Sequence, residues 1–481
     1  MKKGDEIWLE VDSIDLQANG VARHDGKVVF VRGALPGERV LGEIVRIKPK
    51  FNVAQTVAIA RESSLRVRPR CPHFGICGGC SMQHLSSSAQ LAIKQRVLED
   101  QFQHIAGMRP EHILRPIAGP DWHYRYRARL AVRDVFKKGT VLVGFHEKGS
   151  GYVADMTECH VLPPQMSALL VPLRELIGSL AMRRRVPQIE MAIGIRAGTR
   201  AGTRAGTRAP GSPLGGAPGT ATNNSATARN HDDAKALHIA LVFRVLDTPC
   251  AADRQCFEAF GKQHRVQIWF QSKGPETIEP LDPEDSELFY PLPEYGLQMP
   301  FRPTDFTQVN HHINASLISQ ALGLLQPGAG ERIGDLFCGL GNFSLPIARS
   351  GARVLGLEGS KSLCERATQA ARVNGLTENI AFATRNLFDM TPAGWTALEK
   401  FDGLLIDPPR EGAAAVVESI RDTGQAPARI VYVSCNPATL ARDTATLVQA
   451  DYRLRAAGVV NMFPHTSHVE SIAHFVHRTA A

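Results

Sequence analysis

Three cysteines crowd the ten residues CPHFGICGGC, as Cys71, Cys77 and Cys80. A tetrahedral thiolate site wants four ligands, so this stretch is one short. Five residues separate the first two cysteines and two separate the last pair. Structural zinc usually joins two short C-x-x-C knuckles, and only one stands here. Radical enzymes space their three cysteines differently again. On spacing alone, zinc and an iron–sulfur cluster both remain open.

A second set of reactive residues lies toward the C-terminus. VYVSCNPATLARD places Cys435 just past an apolar run, in a polar turn ahead of a helix. A cysteine within an apolar strand is usually inert core. At the polar end of one, with a helix N-terminus to help lower its pKa, it is a candidate nucleophile. LLIDPPR ends another apolar run with Asp407, an acid that is costly to bury without a task. FPHTSHVES supplies Glu470, with His465 and His468 near it.

Upstream, DLFCGLGNFSLPIA sets Gly339 and Gly341 in a turn between strand and helix, and Glu358 follows nineteen residues after Gly339. Such glycines let the backbone approach a ligand, and an acid at the next strand end can accept both hydroxyls of a ribose. Asn342-Phe343-Ser344 replaces the third glycine of the dinucleotide fingerprint. A mononucleoside-like cofactor such as S-adenosylmethionine therefore fits better than NAD.

These residues need several folded units. The chain has 481 residues, too many for one core, and is 43% hydrophobic. Lys plus Arg number 55 against 47 Asp plus Glu, a net charge of +8 and a mild bias toward polyanions. No apolar run is long enough to span a membrane, and MKKGDEIWLE lacks the apolar segment of a secretion signal. Nine cysteines without such a signal point to a reducing cytoplasm rather than a disulfide framework.

Residues 1–62 read as short alternating strands punctuated by NG, DG and PG, the pattern of a small OB-like barrel suited to nucleic acid. A capped helix is expected over SSSAQLAIKQRVLEDQFQHIAG, ending at Gly107. Residues 63–305 read as an α+β domain, with RYRARLAVRDV and TVLVGFHEKGSGYVAD as its clearest strands. HYRYRARL interleaves Tyr124 and Tyr126 with Arg125, Arg127 and Arg129, which suits base stacking and phosphate contact. Residues 196–230, with RAGT repeats carrying Arg196, Arg200, Arg204 and Arg208, have no apolar period and read as a disordered insertion between two strands. From 306 to 481, RIGDLFCGLG, ARVLGLEGS, IAFATRNLF, FDGLLIDPPR and ARIVYVSCNP alternate with helical stretches, the pattern of a parallel, doubly wound sheet.

Taken together, FRPTDFTQVN, DLFCGLGNF, DPPR, VSCNPATLARD and FPHTSHVE resemble the RNA (uracil-5-)-methyltransferase family. The N-terminal module resembles a TRAM domain, and CPHFGICGGC with Cys159 of MTECH resembles the iron–sulfur motif of the family's large-subunit rRNA branch. The likeness touches nearly every region except the insertion. Arg302 stands where the family has the serine of a Phe-Ser-Pro opening. The resemblance implies three domains: an OB-like TRAM barrel, a central α+β domain and a Rossmann-like class I methyltransferase domain. It implies a [4Fe–4S] cluster on Cys71, Cys77, Cys80 and Cys159, and S-adenosylmethionine bound by Gln308, Phe337, Asn342, Glu358, Asn386 and Asp407. Cys435 would be the nucleophile and Glu470 the base.

The implied reaction is methylation of C5 of a uridine in 23S rRNA, at position 1939 first, with another rRNA or tRNA uridine as the alternative. No membrane and no obligate protein partner are expected, and the chain is expected to be a monomer in the cytoplasm. Three rivals carry less. An iron–sulfur redox or radical enzyme would cleave its cofactor; an amino-group methyltransferase would want an aromatic residue at Arg410 and has no use for Cys435. A non-catalytic RNA chaperone leaves Glu358, Asp407, Cys435 and Glu470 without a purpose.

Overall fold

The computed structural model describes residues 1–480 apart from 16, 197–236 and 285–287. At the N-terminus β1 (Glu6–Ile14), β2 (Asn19–His24), β3 (Lys27–Arg32), β4 (Arg39–Ile47) and β5 (Phe51–Arg61) close into a barrel in the order β1-β2-β3-β5-β4. Alternation explains it: Leu9, Val11, Val29, Val31, Val40, Ile44 and Ala54 all turn inward into one small core. Closure leaves no sheet edge exposed to unwanted pairing. The chain leaves the barrel over an ion pair, in which Arg66 Nε meets the fully buried Glu38 at 2.5 Å.

The helix α1 (Ser87–Gln101) follows, and a π-helical turn over Phe102–Ala106 carries it to Gly107, whose φ of +67° ends it. Leu98 and Phe102 bury against the C-terminal sheet rather than the central one. Each contributes about 2–3 kcal/mol by leaving water. β6 (His112–Ile113) pairs with that same sheet.

The central sheet holds β7 (Arg127–Val135), β8 (Thr140–Gly144), β9 (Gln188–Arg196), β10 (Leu237–Arg244), β11 (Val266–Gln271), β12 (Ile278–Pro280), β13 (Leu288–Leu292) and β14 (Leu297–Phe301). Its main path runs β12-β11-β10-β9-β13-β14, with β7 bridging β8 and β9. The helices α2 (Leu170–Ser179) and α3 (Ala251–His264) cover one face. The second expected strand is shorter than its apolar run suggests. It stops at Gly144, and the chain doubles back so that His146 bridges Val153 around the Gly149 turn. β9 and β10 pair antiparallel, Ile195 opposite Leu237, so the RAGT segment joins two neighbouring strands. Beyond Arg196 that segment lies outside the described residues.

The C-terminal unit alternates helix and strand: α4 (His311–Leu325), β15 (Arg332–Leu336), α5 (Ser344–Arg349), β16 (Arg353–Glu358), α6 (Lys361–Val373), β17 (Ile380–Thr384), β18 (Gly403–Ile406), α7 (Ala414–Thr423), β19 (Arg429–Ser434) and α8 (Pro437–Gln449). β20 (Tyr452–Val460) and β21 (Glu470–His477) complete it. The order is β17-β16-β15-β18-β19-β21-β20-β6. The five expected strands are parallel, but β21 lies antiparallel between β19 and β20, so the sheet is mixed rather than purely parallel. The short link from β20 to β21 leaves no room for a crossover helix, which a parallel return needs. Among the described residues, no helix is long and apolar enough to cross a membrane.

Candidate active site

Topology gathers the candidates at one edge. Phe337, Glu358, Asn386, Asp407 and Cys435 lie at or just beyond the carboxyl ends of β15, β16, β17, β18 and β19. That edge is where ligands bind in open α/β sheets. Because β21 runs antiparallel to β19, its first residue, Glu470, arrives at the same edge. Ser434 pairs with Ser471, which sets Cys435 and Glu470 on neighbouring strands.

The glycine turn is shaped for close approach. Phe337 has φ +63° and Gly341 φ +83°. A side chain at position 341 would be strained at that φ, and its Cβ would come 2.6 Å from Leu345 Cδ1, so glycine is favoured there. Glu358 braces the turn: its carboxylate accepts the Gly339 N–H at 3.1 Å and the Ser360 N–H at 3.0 Å. The Phe337 ring stands 5.5 Å from Phe388.

The remaining cofactor candidates differ in freedom. Gln308 is half-buried just ahead of α4. Asn386 is exposed, accepts the Phe388 N–H at 3.1 Å and hydrogen-bonds Asp389. The Asn342 side chain is already engaged. Its Oδ1 accepts from Tyr290 and Asn314, while its Nδ2 donates to Asn314 Oδ1 at 2.9 Å. It therefore ties the glycine turn to β13 and α4.

Acids crowd the edge. Burial first, then Asp335, pushes the Asp407 carboxyl up to about 7. Burial likewise pushes Glu470 up to about 8, with Asp407 adding to the shift and Arg410 opposing it. The Cys435 thiol rises to about 11, through burial and then the neighbouring Glu470 and Asp407. The helix that follows Cys435 does not prevail over these causes, contrary to the expectation of a lowered thiol. Asp335 was not anticipated. It is fully buried, held by the Ser344 hydroxyl and raised to about 7 by burial, and its only signal was an acid inside the apolar run RIGDLF.

Arg410 is the cation facing this group. Its carbonyl accepts Asn436 Nδ2 at 3.1 Å and Thr439 Oγ1 at 3.2 Å, and its guanidinium lies 3.3 Å from His468 Nδ1. His465 is placed elsewhere: it is buried, with its ring 4.0 Å from Trp122.

The cysteines form a separate centre. Cys71, Cys77, Cys80 and Cys159 line one cavity, with Phe145 and Met156 among its walls. Burial is the first cause raising all four thiols, Cys80 to about 12 and Cys159 to about 11, and neighbouring thiols raise Cys77, Cys80 and Cys159 further. All nine cysteines are free. Among the described residues, no three His, Cys, Asp or Glu side chains converge closely enough to hold a single metal ion.

The Tyr-Arg stretch departs from expectation. Tyr124 is buried and donates to the Pro464 carbonyl at 2.8 Å, so it has no face left for a base. Tyr126 stacks on His311 at 4.4 Å, and Arg127 donates to the carbonyls of Pro303 and Asp305. Arg129 alone of the three arginines keeps a largely exposed side chain, and it pairs with Glu190. The stretch mainly joins the central and C-terminal units, because aromatic rings recover more by burial than by waiting for a ligand.

Comparison with known proteins agrees with this architecture. The TRAM domain family matches residues 2–57 and the tRNA (Uracil-5-)-methyltransferase family matches residues 295–478. A protein of Cupriavidus pinatubonensis named 23S rRNA (uracil(1939)-C(5))-methyltransferase RlmD is 53% identical, over 99% of this chain and 96% of its own length. A protein of the same name from Bordetella parapertussis is 53% identical, over 97% of this chain and 92% of its own. The crystal structure of Pyrococcus abyssi tRNA (uracil-54, C5)-methyltransferase with S-adenosyl-L-homocysteine shares the fold, with a TM-score of 0.68, 22% identity, and coverage of 98% of this chain and 100% of that one. With relatives of this identity matched along almost the whole chain, and a barrel and mixed sheet that agree with both family matches, the chain belongs to the 23S rRNA (uracil-C5)-methyltransferase family.

Proposed function

We propose that this protein methylates C5 of uridine 1939 of 23S rRNA, using S-adenosylmethionine, through a covalent bond between Cys435 and C6 of the base. The observation that carries the mechanism is the meeting of Cys435 and Glu470 at the carboxyl edge of the sheet, next to Asp407. The position on the RNA rests on the names of the full-length relatives.

Gln308, Phe337, Asn342, Glu358, Asn386 and Asp407 are the residues assigned to the cofactor, Glu358 through the ribose and Asn342 through its backbone, since its amide is engaged. The donor set fits: Asp335 and Asp407, whose carboxyls burial and nearby acids raise to about 7, are relieved by a cationic ligand. S-adenosylmethionine, when bound, supplies a sulfonium charge and an electrophilic methyl group.

The chain's own residues then do the following. The target uridine is turned out of its stack toward the edge. Cys435 gives up its thiol proton to solvent, its sulfur forms a bond to C6, and the displaced electron pair moves onto C5 and O4, making C5 nucleophilic. Once C5 has taken the methyl group it carries one proton too many. Glu470 removes that proton, and the electron pair left behind re-forms the C5–C6 double bond and expels Cys435. Arg410 offers the positive charge that favours the ionised forms of both residues.

The four cysteines are assigned to a [4Fe–4S] cluster. What supports this is a cavity lined by four thiols, two buried and two half-buried, whose protons are hard to lose unless positive charge arrives. Cys71, Cys77, Cys80 and Cys159 would hold the cluster, whose iron would supply that charge. The division into units at 1–62, 63–305 and 306–481 is kept as the functional reading: RNA-binding barrel, cluster-bearing connector and methyltransferase. The chain is assigned to the cytoplasm, where ribosomal RNA and reduced thiols are found.

The test is a trap. RNA carrying 5-fluorouridine at the target cannot lose a proton from C5, so incubation with S-adenosylmethionine should leave a complex that survives denaturation, linked at Cys435. An adduct at another residue would end the proposal. Mapping of 23S rRNA from cells lacking the gene should show loss of 5-methyluridine at 1939; loss elsewhere would move the substrate.

A further inference from the structure

The link from β20 to β21, residues 461–469, delivers Glu470 to the edge, and it is held by side chains of a helix that precedes it by more than 350 residues. Lys94 and Gln90 of α1 are each only 1% exposed, which is rare for either type. Lys94 Nζ donates to Asn461 Oδ1 and to the Phe463 carbonyl, both at 2.9 Å. Gln90 Oε1 accepts the His465 N–H at 2.8 Å, while its Nε2 donates to the carbonyls of Leu85 at 2.8 Å and Met82 at 3.1 Å.

More contacts converge on the same turn. The His465 carbonyl accepts the N–H groups of Ser81 and Met82 at 2.8 and 2.9 Å, and Tyr124 binds the Pro464 carbonyl. His465 itself has φ +64°, a left-handed conformation uncommon outside glycine. Buried polar side chains are kept where their partners need them, and here Asn461, Phe463 and His465 lie in the link and Met82 binds it. The Glu470 carboxyl, by contrast, makes no hydrogen bond among the described residues that would aim it by itself. Its direction follows from the backbone ahead of it.

We infer that Gln90 and Lys94 are positioning residues for Glu470: they hold the link so that its carboxylate reaches the C5 proton of the methylated, Cys435-bound uridine. This rests on the reading of Glu470 as the base. Both side chains are buried, with no surface left to offer RNA or cofactor. Their loss should therefore slow proton removal and enzyme release while leaving substrate binding and methyl transfer in place. A displacement of about 1 Å at a reacting group can cost about a hundredfold in rate.

The experiment compares Lys94→Met, Lys94→Gln and Gln90→Leu in the full chain, with Glu470→Gln as control. It uses rRNA fragments with ordinary uridine at the target. Three quantities are read: kcat, KM for RNA, and the fraction of enzyme in an RNA complex that survives denaturation at steady state. The expected result is kcat lower by about tenfold to a hundredfold, KM changed by less than about twofold, and a several-fold larger trapped fraction. Lys94→Gln keeps one donor, so it folds if the methionine variant does not, and it should show the same pattern more weakly. Unchanged turnover in a folded variant, or a fall in kcat without trapped complex, overturns the inference. If Glu470→Gln itself releases product freely, the base assignment fails; if Glu470→Gln traps and the α1 variants do not, the positioning role alone fails.

Discussion

Ser471 Oγ donates to the Ser434 carbonyl at 3.2 Å, and these two residues are paired across β19 and β21. Cys435 follows one of them and Glu470 precedes the other. The contact fixes the register that makes the thiol and the carboxyl neighbours, and a slip of one residue would turn Glu470 to the opposite face.

The first expectation concerns Cys435. Cys435→Ala should abolish methylation and form no complex with 5-fluorouridine RNA that survives denaturation. Its melting temperature should stay within about 2 °C of the native value, because the thiol is half-buried and its removal leaves no unpaired charge. Residual methylation at the native rate would exclude the covalent route.

Glu470 makes the stability of the protein depend on pH. Its carboxyl is raised from 4.5 to about 8 on folding, chiefly by burial. The folded state thus holds the proton more tightly than the unfolded one. The stability associated with that proton is fully present below pH 4.5 and is lost progressively as pH rises through about 8. Glu470→Gln, which carries no titrating group, should melt at a higher temperature than the native protein at pH 9, with the gap closing toward pH 4. Thermal melts across that range check it; a gap independent of pH would contradict the buried, neutral acid.

Glu358 holds the glycine turn as well as facing the ligand edge. Glu358→Ala removes two hydrogen bonds from Gly339 and Ser360 together with the proposed ribose acceptor. Bonds to a charged acceptor are worth about 1.5–3 kcal/mol, so affinity for S-adenosylhomocysteine should fall by about 10–100-fold. Calorimetric titration measures it, and unaltered affinity would remove Glu358 from the cofactor site.

Loss of one of the four cavity-lining thiols should undo the proposed cluster. Cys159→Ala purified without oxygen should contain less iron than the native protein, lack the brown colour expected of the proposed cluster and unfold at lower temperature, since one of the four thiols lining the cavity is gone. A native protein that is colourless and carries zinc would replace the cluster assignment.

Phe102 reports on how α1 is docked. It is fully buried against the C-terminal sheet, so Phe102→Ala should lower the unfolding free energy by about 3–5 kcal/mol. Urea denaturation of the full chain measures the loss; a negligible change would place α1 outside that core.

Much of this molecule is written in short range. Alternation over residues 1–62 determines strands with one apolar face, and closure into a barrel is how such strands hide their edges. The five apolar runs of the C-terminal unit, the Gly339–Gly341 turn and the strand-end acids Glu358 and Asp407 follow from local pattern, because parallel strands are buried on both faces and their ends carry the loops. The cysteine spacing likewise singles out Cys71, Cys77 and Cys80, which share a cavity with Cys159.

Other features exist only in three dimensions. No local pattern says that β21 returns antiparallel beside β19, that α1 packs on the C-terminal sheet, or that Tyr124 spends its hydroxyl on Pro464 rather than on RNA. The meeting of Asp335, Asp407 and Glu470, and the burial that holds their protons, likewise arises from packing between segments far apart in sequence. Periodicity records which face of an element avoids water. It does not record which other element will cover that face, and here that choice sets both the proton affinities at the active edge and the aim of Glu470.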